Sequence, residues 1–233
     1  METIIVTGGA GRIGVGIVRR LHDRPDATVC VVDEDAGRLA GIGAELSRAS
    51  LRRVDVTDSG AMESLLTEVS DLDRLDAVIA NAGVSCVGSA REPDSSRWRR
   101  AIEVNSLGVM YTVRAALERC TSRVSVPSPL LLPHPARLSY VGEPAYVVSK
   151  HATVAFCDAV RKEIVGSRIR MCVVEPGLVD TPMSRSHPMI DEVLGHVTTL
   201  DVDNVARAFE FVLDQPPHCT INEIHIRPTS QDL

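Results

Sequence analysis

Aromatic residues are scarce in this chain: one Trp, three Tyr and three Phe among 233 residues, 3% in all. A core with so few rings has to be filled by aliphatic side chains, as parallel sheets covered by helices are. Positive charge is also in deficit, with 25 Lys and Arg against 31 Asp and Glu and a net charge of −6. That argues against nucleic acid as the main partner, because phosphate-backbone binding normally shows a basic surface. The one basic run, RWRR at Arg97–Arg100, reads as a solvated helix face. No C-x-x-C pair occurs among the six cysteines (Cys30, Cys86, Cys120, Cys157, Cys172, Cys219), and most sit in apolar runs such as VCVV and MCVV. A free thiol there acts as a small buried hydrophobe, which suits a reducing compartment. No apolar run approaches the length of a bilayer span, so no membrane partner is expected. The start, METIIVTGG, has neither a basic n-region nor a long apolar h-region. The expected location is cytoplasmic.

What the chain does have is a repeated strand–helix rhythm. Apolar, β-branched runs fall at Thr3–Thr7, Thr28–Asp33, Leu51–Val56, Asp76–Asn81, somewhere between Val124 and Leu132, Ile169–Pro176 and Ile221–Ile226. Helical patterns lie between them at about Ile13–Leu21, Ala36–Ser47, Ser59–Val69, Asp94–Cys120, Ala145–Val165 and Val202–Leu213, with a broken segment at Thr181–His196. This alternation predicts an α/β fold, a Rossmann-like doubly wound parallel sheet of about seven strands. A length of 233 residues suits one core, so residues 1–233 are expected to form a single domain. The compositional break is Pro127–Pro135, which holds four prolines, residues poorly tolerated in a central strand.

The first turn, TGGAGRIG at Thr7–Gly14, sets glycines between a strand and a helix. Such a turn lets the backbone approach a pyrophosphate, whose charge is stabilised by amides at the helix N-terminus. Asp33, at the end of the second strand, is placed to accept hydrogen bonds from an adenosine ribose and to repel a 2′-phosphate.

These residues resemble the short-chain dehydrogenase/reductase family, in its short single-domain branch, which implies that residues 1–233 are a single NAD(P)-binding Rossmann-fold domain with a substrate lid at about 183–195. Thr7–Gly14 is similar to the family's T-G-x-x-x-G-x-G turn, with Arg12 where the middle glycine is usual. The resemblance assigns Gly8, Gly11, Arg12, Ile13 and Gly14 to the cofactor. Arg12 leans towards the phosphate of NADP and Asp33 against it; a carboxylate beside a phosphate is costly, so NAD is favoured over NADP. Further along, Asp55 and Val56 match the positions that meet adenine, and Asn81, Ala82 and Gly83 resemble the strand-four signature beside the ribose. EVNSLG at Glu103–Gly108 matches the family's V-N-x-x-G. EPGLVDTPM at Glu175–Met183 matches P-G-x-x-x-T, which implies that Pro176, Gly177, Val179 and Thr181 line the nicotinamide end.

Hydride exchange at a carbinol carbon needs a group that takes or gives the hydroxyl proton. Tyr146 and Lys150 stand one helical turn apart. A tyrosine of ordinary pKa, about 10, is mostly neutral at pH 7, and an adjacent ammonium and the nicotinium charge favour its phenolate. The resemblance adds that Lys150 bonds the nicotinamide ribose and that the Asn105 carbonyl holds a relaying water. An isolated Y-x-x-x-K is more often a solvated pair, and a buried asparagine at a kink is often structural; the cofactor motifs favour the catalytic reading.

The family's serine, about thirteen residues before the tyrosine, falls on Pro133, which cannot donate. Three readings stay open. RVSV is the fifth strand and Ser128 the serine; or LLL is the strand, Pro133 has replaced the serine, and Ser139 or His134 compensates; or residues 118–139 reflect two compensating frame changes. The expected function is therefore an NAD(H)-dependent oxidoreductase interconverting a secondary alcohol and a ketone. The alternative is a non-catalytic dinucleotide-binding sensor or scaffold. The extended epimerase and dehydratase branch is disfavoured for want of a further substrate domain. Met183, Pro188, Met189, Ile190 and Leu194 give the lid an apolar character, and relatives pair through the helices at Asp94–Cys120 and Ala145–Val165, so a homodimer or homotetramer is expected. No metal site is expected.

Overall fold

The computed structural model describes residues 2–72, 75–91, 95–119, 123–127, 142–187 and 190–231. Strands β1 (Glu2–Thr7), β2 (Ala27–Asp33), β3 (Ser50–Arg53), β4 (Leu75–Ala80), β5 (Arg123–Pro127), β6 (Arg170–Pro176) and β7 (Glu223–Ile226) form one sheet in the order β3-β2-β1-β4-β5-β6-β7. Every neighbouring pair is parallel. β1, β2 and β4 are rich in Val and Ile and buried along almost their whole length, because helices cover both faces.

Alternate strand residues feed the two faces. Ile4, Val6, Val29 and Val31 meet α1 (Arg12–His22), α2 (Ala36–Glu45) and α9 (Val202–Leu213), whose Phe209 is fully buried. Ile5, Val32, Val78 and Val173 meet α3 (Ser59–Leu72), α5 (Val109–Arg119) and α6 (Pro144–Glu163). This is the three-layer, doubly wound arrangement expected from the sequence. The order in which strands join the sheet reverses between β1 and β4, and that opens a crevice beyond their C-terminal ends.

Several element boundaries differ from the sequence reading, and one that it left open is decided. The helix expected across Asp94–Cys120 is three pieces: α4 (Ser96–Ile102), a π-helical turn (Glu103–Gly108) and α5. Gly108 packs against Val56 so closely that a Cβ there would lie 2.7 Å from the Val56 side chain. β3 stops at Arg53, because the Asp55 side chain takes the N–H and hydroxyl of Thr57 (2.9 and 2.8 Å) and turns the chain. β7 begins at Glu223, two residues later than expected. The slot between β4 and β6 is filled by Arg123–Pro127, so the fifth strand is RVSVP and not the LLL run. Ser128, Pro133, His134 and Ser139 lie outside the described residues, as do Pro188 and Met189 of the expected lid. Two short helices, α7 (Pro182–Arg185) and α8 (Ile190–Leu194), flank that gap. No helix among the described residues is long and apolar enough to cross a membrane.

Glu175, near the end of β6, is fully buried. Burial pushes its carboxyl from an ordinary 4.5 up to about 7, helped by Glu223 and opposed by Arg227 and Arg161; His225 Nδ1 lies 3.4 Å away. The folded protein thus keeps a proton that the unfolded chain releases, so stability falls as pH rises from about 4.5 through about 7. Thermal unfolding of Glu175→Gln is expected to match the native protein near pH 4.5. At pH 8 the variant should be more stable by an amount on the order of 1–3 kcal/mol. An equal difference at both pH values would contradict this account.

Candidate functional site

At the crevice, the glycine turn after β1 is locked to the turn after β4. Asn81 Nδ2 donates to the carbonyls of Thr7 (3.2 Å) and Gly8 (2.9 Å), while Thr7 Oγ1 accepts from the N–H groups of Asn81 (3.1 Å) and Ala82 (3.3 Å). Gly8 has φ +59°, and a Cβ there would sit 2.6 Å from Ala82 Cα. Only glycine fits. A Cβ on Gly14 would run into the Gly8 carbonyl oxygen, with Gly9 Cα at 2.7 Å, so the turn folds tightly onto the start of α1. Gly11 offers α1 no side-chain cap, and the opening residues Arg12, Ile13 and Gly14 line the cavity beside it. That leaves first-turn amides to meet an anion.

The cavity has a volume of about 780 Å³, in the range of cofactor pockets. Asp33, 7% exposed, lines it and accepts from Ala10 N–H (3.2 Å) and Asp35 N–H (3.1 Å). Arg38 approaches Asp33 to 3.8 Å while bonded to Asp35. Asp55 and Val56 lie on the same wall. Burial pushes the Asp55 carboxyl up, but Thr57 and Arg100 outweigh it and hold the group below the usual range. Arg100 spans from Asp55 (3.4 Å) to Glu34 (2.7 Å) across this end of the cavity.

On the opposite side, Asn105 in the π-helical turn has no exposed surface. Its Oδ1 accepts from Val84 N–H (2.8 Å), and its Nδ2 donates to the Val84 carbonyl (3.0 Å) and to Ser149 Oγ (3.0 Å). Ser149 Oγ in turn donates to the Tyr146 carbonyl (2.7 Å). The Asn105 carbonyl accepts from Thr153 Oγ1 (2.8 Å). Tyr146 and Lys150, on one face of α6, both line the cavity, with Lys150 Nζ 5.5 Å from the centre of the tyrosine ring. Lys150 is 5% exposed, and burial pushes its ammonium down from 10.5 to about 8. Gly83 completes the corner: a Cβ there would stand 3.3 Å from both Lys150 Nζ and Asn105 Oδ1.

The far wall comes from the β6 end. Pro176, Gly177, Val179 and Thr181 line the cavity, held by Gly177 N–H to the Ile226 carbonyl (2.6 Å) and by a bridge between Val179 and Leu200. Thr181 caps α7, its Oγ1 accepting from Ser184 N–H (3.1 Å). Every site residue named from the sequence that lies among the described residues therefore borders one cavity or, for Asn105, braces its wall. Ser128 lies outside the described residues.

The family model described as short chain dehydrogenase matches residues 2–189. The chain belongs to the short-chain dehydrogenase family. An uncharacterized oxidoreductase of Staphylococcus saprophyticus is 28% identical, the match covering 100% of this chain and 98% of that protein. Among solved structures, an alcohol dehydrogenase from Thermococcus sibiricus complexed with 5-hydroxy-NADP is 24% identical with a TM-score of 0.82, over 100% of this chain and 99% of that one. The closed form of serine dehydrogenase complexed with NADP+ is 23% identical with a TM-score of 0.85, over 99% and 96%. These likenesses establish the short-chain dehydrogenase fold. As a member of that family the protein is an oxidoreductase.

The sequence reading missed Arg38, Arg100, Ser85, Glu143, His187 and Gln231, all on the cavity lining. Glu143 had a signal in its spacing, three positions before Tyr146, although it stands at the cap of α6 and outside its helical turns. Arg100 had none, because its reach depends on where α4 docks.

Asn105→Ala removes three side-chain hydrogen bonds from a fully buried position. The variant is expected to lose about 2–4 kcal/mol of unfolding free energy in urea titration. A loss below about 0.5 kcal/mol would show that Asn105 is not the brace.

Proposed function

We propose that this protein is an NAD(H)-dependent oxidoreductase that interconverts a secondary alcohol and a ketone. The observation that carries the reading is that Tyr146 and Lys150 line the same cavity as the glycine turn and Asp33. The residues fit a dinucleotide: Gly8, Gly11 and Gly14 leave a backbone cradle at the start of α1, and Asp33 offers a carboxylate for ribose hydroxyls. Ala82 and Gly83 follow along the ribose, and Asp55 and Val56 stand at the adenine end. Pro176, Gly177, Val179 and Thr181 would border the nicotinamide. When bound, the dinucleotide supplies the hydride acceptor or donor.

The chain's own residues handle the proton. In the reducing direction the phenol of Tyr146 gives its proton to the substrate oxygen as the carbon gains hydride; in oxidation it takes that proton back. Lys150, held out of water, stabilises negative charge on the phenol oxygen while it is protonated. The Asn105 carbonyl would hold a water that passes protons to Lys150. Ser128 remains the proposed partner for the substrate oxygen, following directly on the end of β5 at Pro127.

Asp33 supports NAD over NADP, since it would lie against a 2′-phosphate. Arg12 and Arg38 on the same lining oppose it, and several neighbours of the fold are NADP complexes. Asp33 is buried with its acceptor bonds fixed by two backbone N–H groups, whereas Arg38 is engaged by Asp35. Self-association as a homodimer or homotetramer is proposed from the exposed apolar Leu107 and Val148 on the helices that pair in relatives. Placement in the cytoplasm is proposed from the cysteine pattern.

NADH absorbance with a panel of ketones tests the reading. Tyr146→Phe is expected to lower kcat by about 10²–10⁴-fold while NADH still binds. Tight NADH binding with no turnover of any ketone would favour the non-catalytic alternative. Asp33→Ser is expected to raise kcat/KM for NADPH relative to NADH by about tenfold or more; an unchanged ratio would show that Asp33 does not read the 2′ position.

A further inference from the structure

Glu143 precedes Pro144 at the start of α6, three positions before Tyr146. An acidic side chain there can cap its helix by accepting from first-turn amides. Glu143 makes no such bond; its side chain, in a residue 8% exposed, lines the cavity instead. There it meets Ser85, whose Oγ donates to Glu143 Oε1 at 3.4 Å. His187, from the segment after α7, lies close enough to favour the carboxylate's charge, although burial outweighs that and raises the carboxyl above its ordinary range. The three residues come from three separate segments. Two of these are tied together beside the cavity by Gly88 N–H donating to the Gly142 carbonyl (2.6 Å), with Gly142 at φ +93°.

Around this cluster the lining is largely apolar, with Val84, Met183 and Ile190. A carboxylate in such surroundings, unsupported by helix amides, is costly unless a ligand donates to it. We propose that Glu143 and Ser85, with His187 opposite, form a polar subsite for a hydrogen-bond-donating group, a hydroxyl or an ammonium, that the substrate carries near its reacting carbon. The proposal rests on the redox reading of Tyr146, which fixes where that carbon lies. Glu143 stands three residues before Tyr146, at the cap of α6, and both residues line the one cavity, so the donor sits near that carbon. The substrate class is then hydroxy or amino ketones and the matching diols or amino alcohols, in place of the wholly apolar compounds that lid composition alone would allow.

The test uses the full chain with NADH and three ketones on one carbon skeleton: butan-2-one, 3-hydroxybutan-2-one and 3-aminobutan-2-one. The native protein is expected to turn over the hydroxy or the amino ketone with kcat/KM about tenfold or more above butan-2-one, the worth of one charge-assisted hydrogen bond. Whichever is preferred identifies the donor. In Glu143→Gln, checked for folding by its thermal unfolding curve, that ratio should fall to near one. No preference in the native protein, or a preference that survives Glu143→Gln, overturns the subsite. If none of the three ketones is turned over, the redox reading fails, and calorimetric binding of butane-2,3-diol and 3-aminobutan-2-ol to the NAD-saturated protein decides the subsite separately. Binding weakened about tenfold in Glu143→Gln supports it; equal binding, or none to the native protein, overturns it.

Discussion

The side-chain amide of Asn105 joins the two halves of the site. Its oxygen accepts from the Val84 N–H, in the segment leaving β4, and its nitrogen donates both to the Val84 carbonyl and to Ser149 on α6. Ser106 and Thr153 reinforce the same seam, Ser106 donating to the Ser149 carbonyl at 3.1 Å and Thr153 to the Asn105 carbonyl at 2.8 Å. The seam runs through a π-helical turn, whose extra residue widens the helix where these groups have to meet. Lys150 and Tyr146 then project from α6 towards the glycine turn, which is itself locked to the β4 end by Asn81. Two asparagines thus set the distance across the cavity.

This arrangement keeps charge in places where it is expensive. Lys150 and Glu143 are both buried, and both are displaced by burial towards their neutral forms. A cavity of this kind favours ligands that bring the complementary group, because an unpaired buried charge costs several kcal/mol, roughly, before compensation. The adenosine end works differently. There Asp33, Asp55 and Glu34 are met by Ala10, Thr57, Arg38 and Arg100, so its carboxylates already have partners.

Much of this was legible in the sequence. The β-branched runs and the alternating helices specify the sheet, because strands buried on both faces leave continuous apolar runs. Gly8, Gly14 and Asp33 could be named from the chemistry of a phosphate-binding turn, Tyr146 and Lys150 from their helical spacing beside it, and Asn81 and Asn105 through the family's motifs. The π-helical turn was not legible, since EVNSLG carries ordinary helix periodicity and its widening comes from tertiary bonds of Asn105 and close packing at Gly108. The end of β3 was misread because Val54–Val56 looks like strand until the Asp55 side chain bends it. Arg38, Arg100 and His187 reach the cavity by long side chains or by lid placement, which local spacing does not encode. The proline-rich stretch resisted for a different reason: proline fits several chain paths poorly, and none well enough to select one. Arg123–Pro127 now occupies the fifth strand position, while Ser128 lies beyond the described residues.

The central claim is that Tyr146 governs the proton while a nicotinamide dinucleotide held by the glycine turn exchanges hydride with a carbon in the same cavity. Isotope transfer reads it most directly. The protein is incubated with NADH deuterated on each face of its reactive carbon in turn, together with the three ketones above, and the alcohols are analysed by mass spectrometry. The account predicts deuterium on the carbinol carbon from one face only, in the native protein, with the transfer suppressed in Tyr146→Phe. NADH binding without label in any alcohol, or equal transfer by Tyr146→Phe, would contradict it.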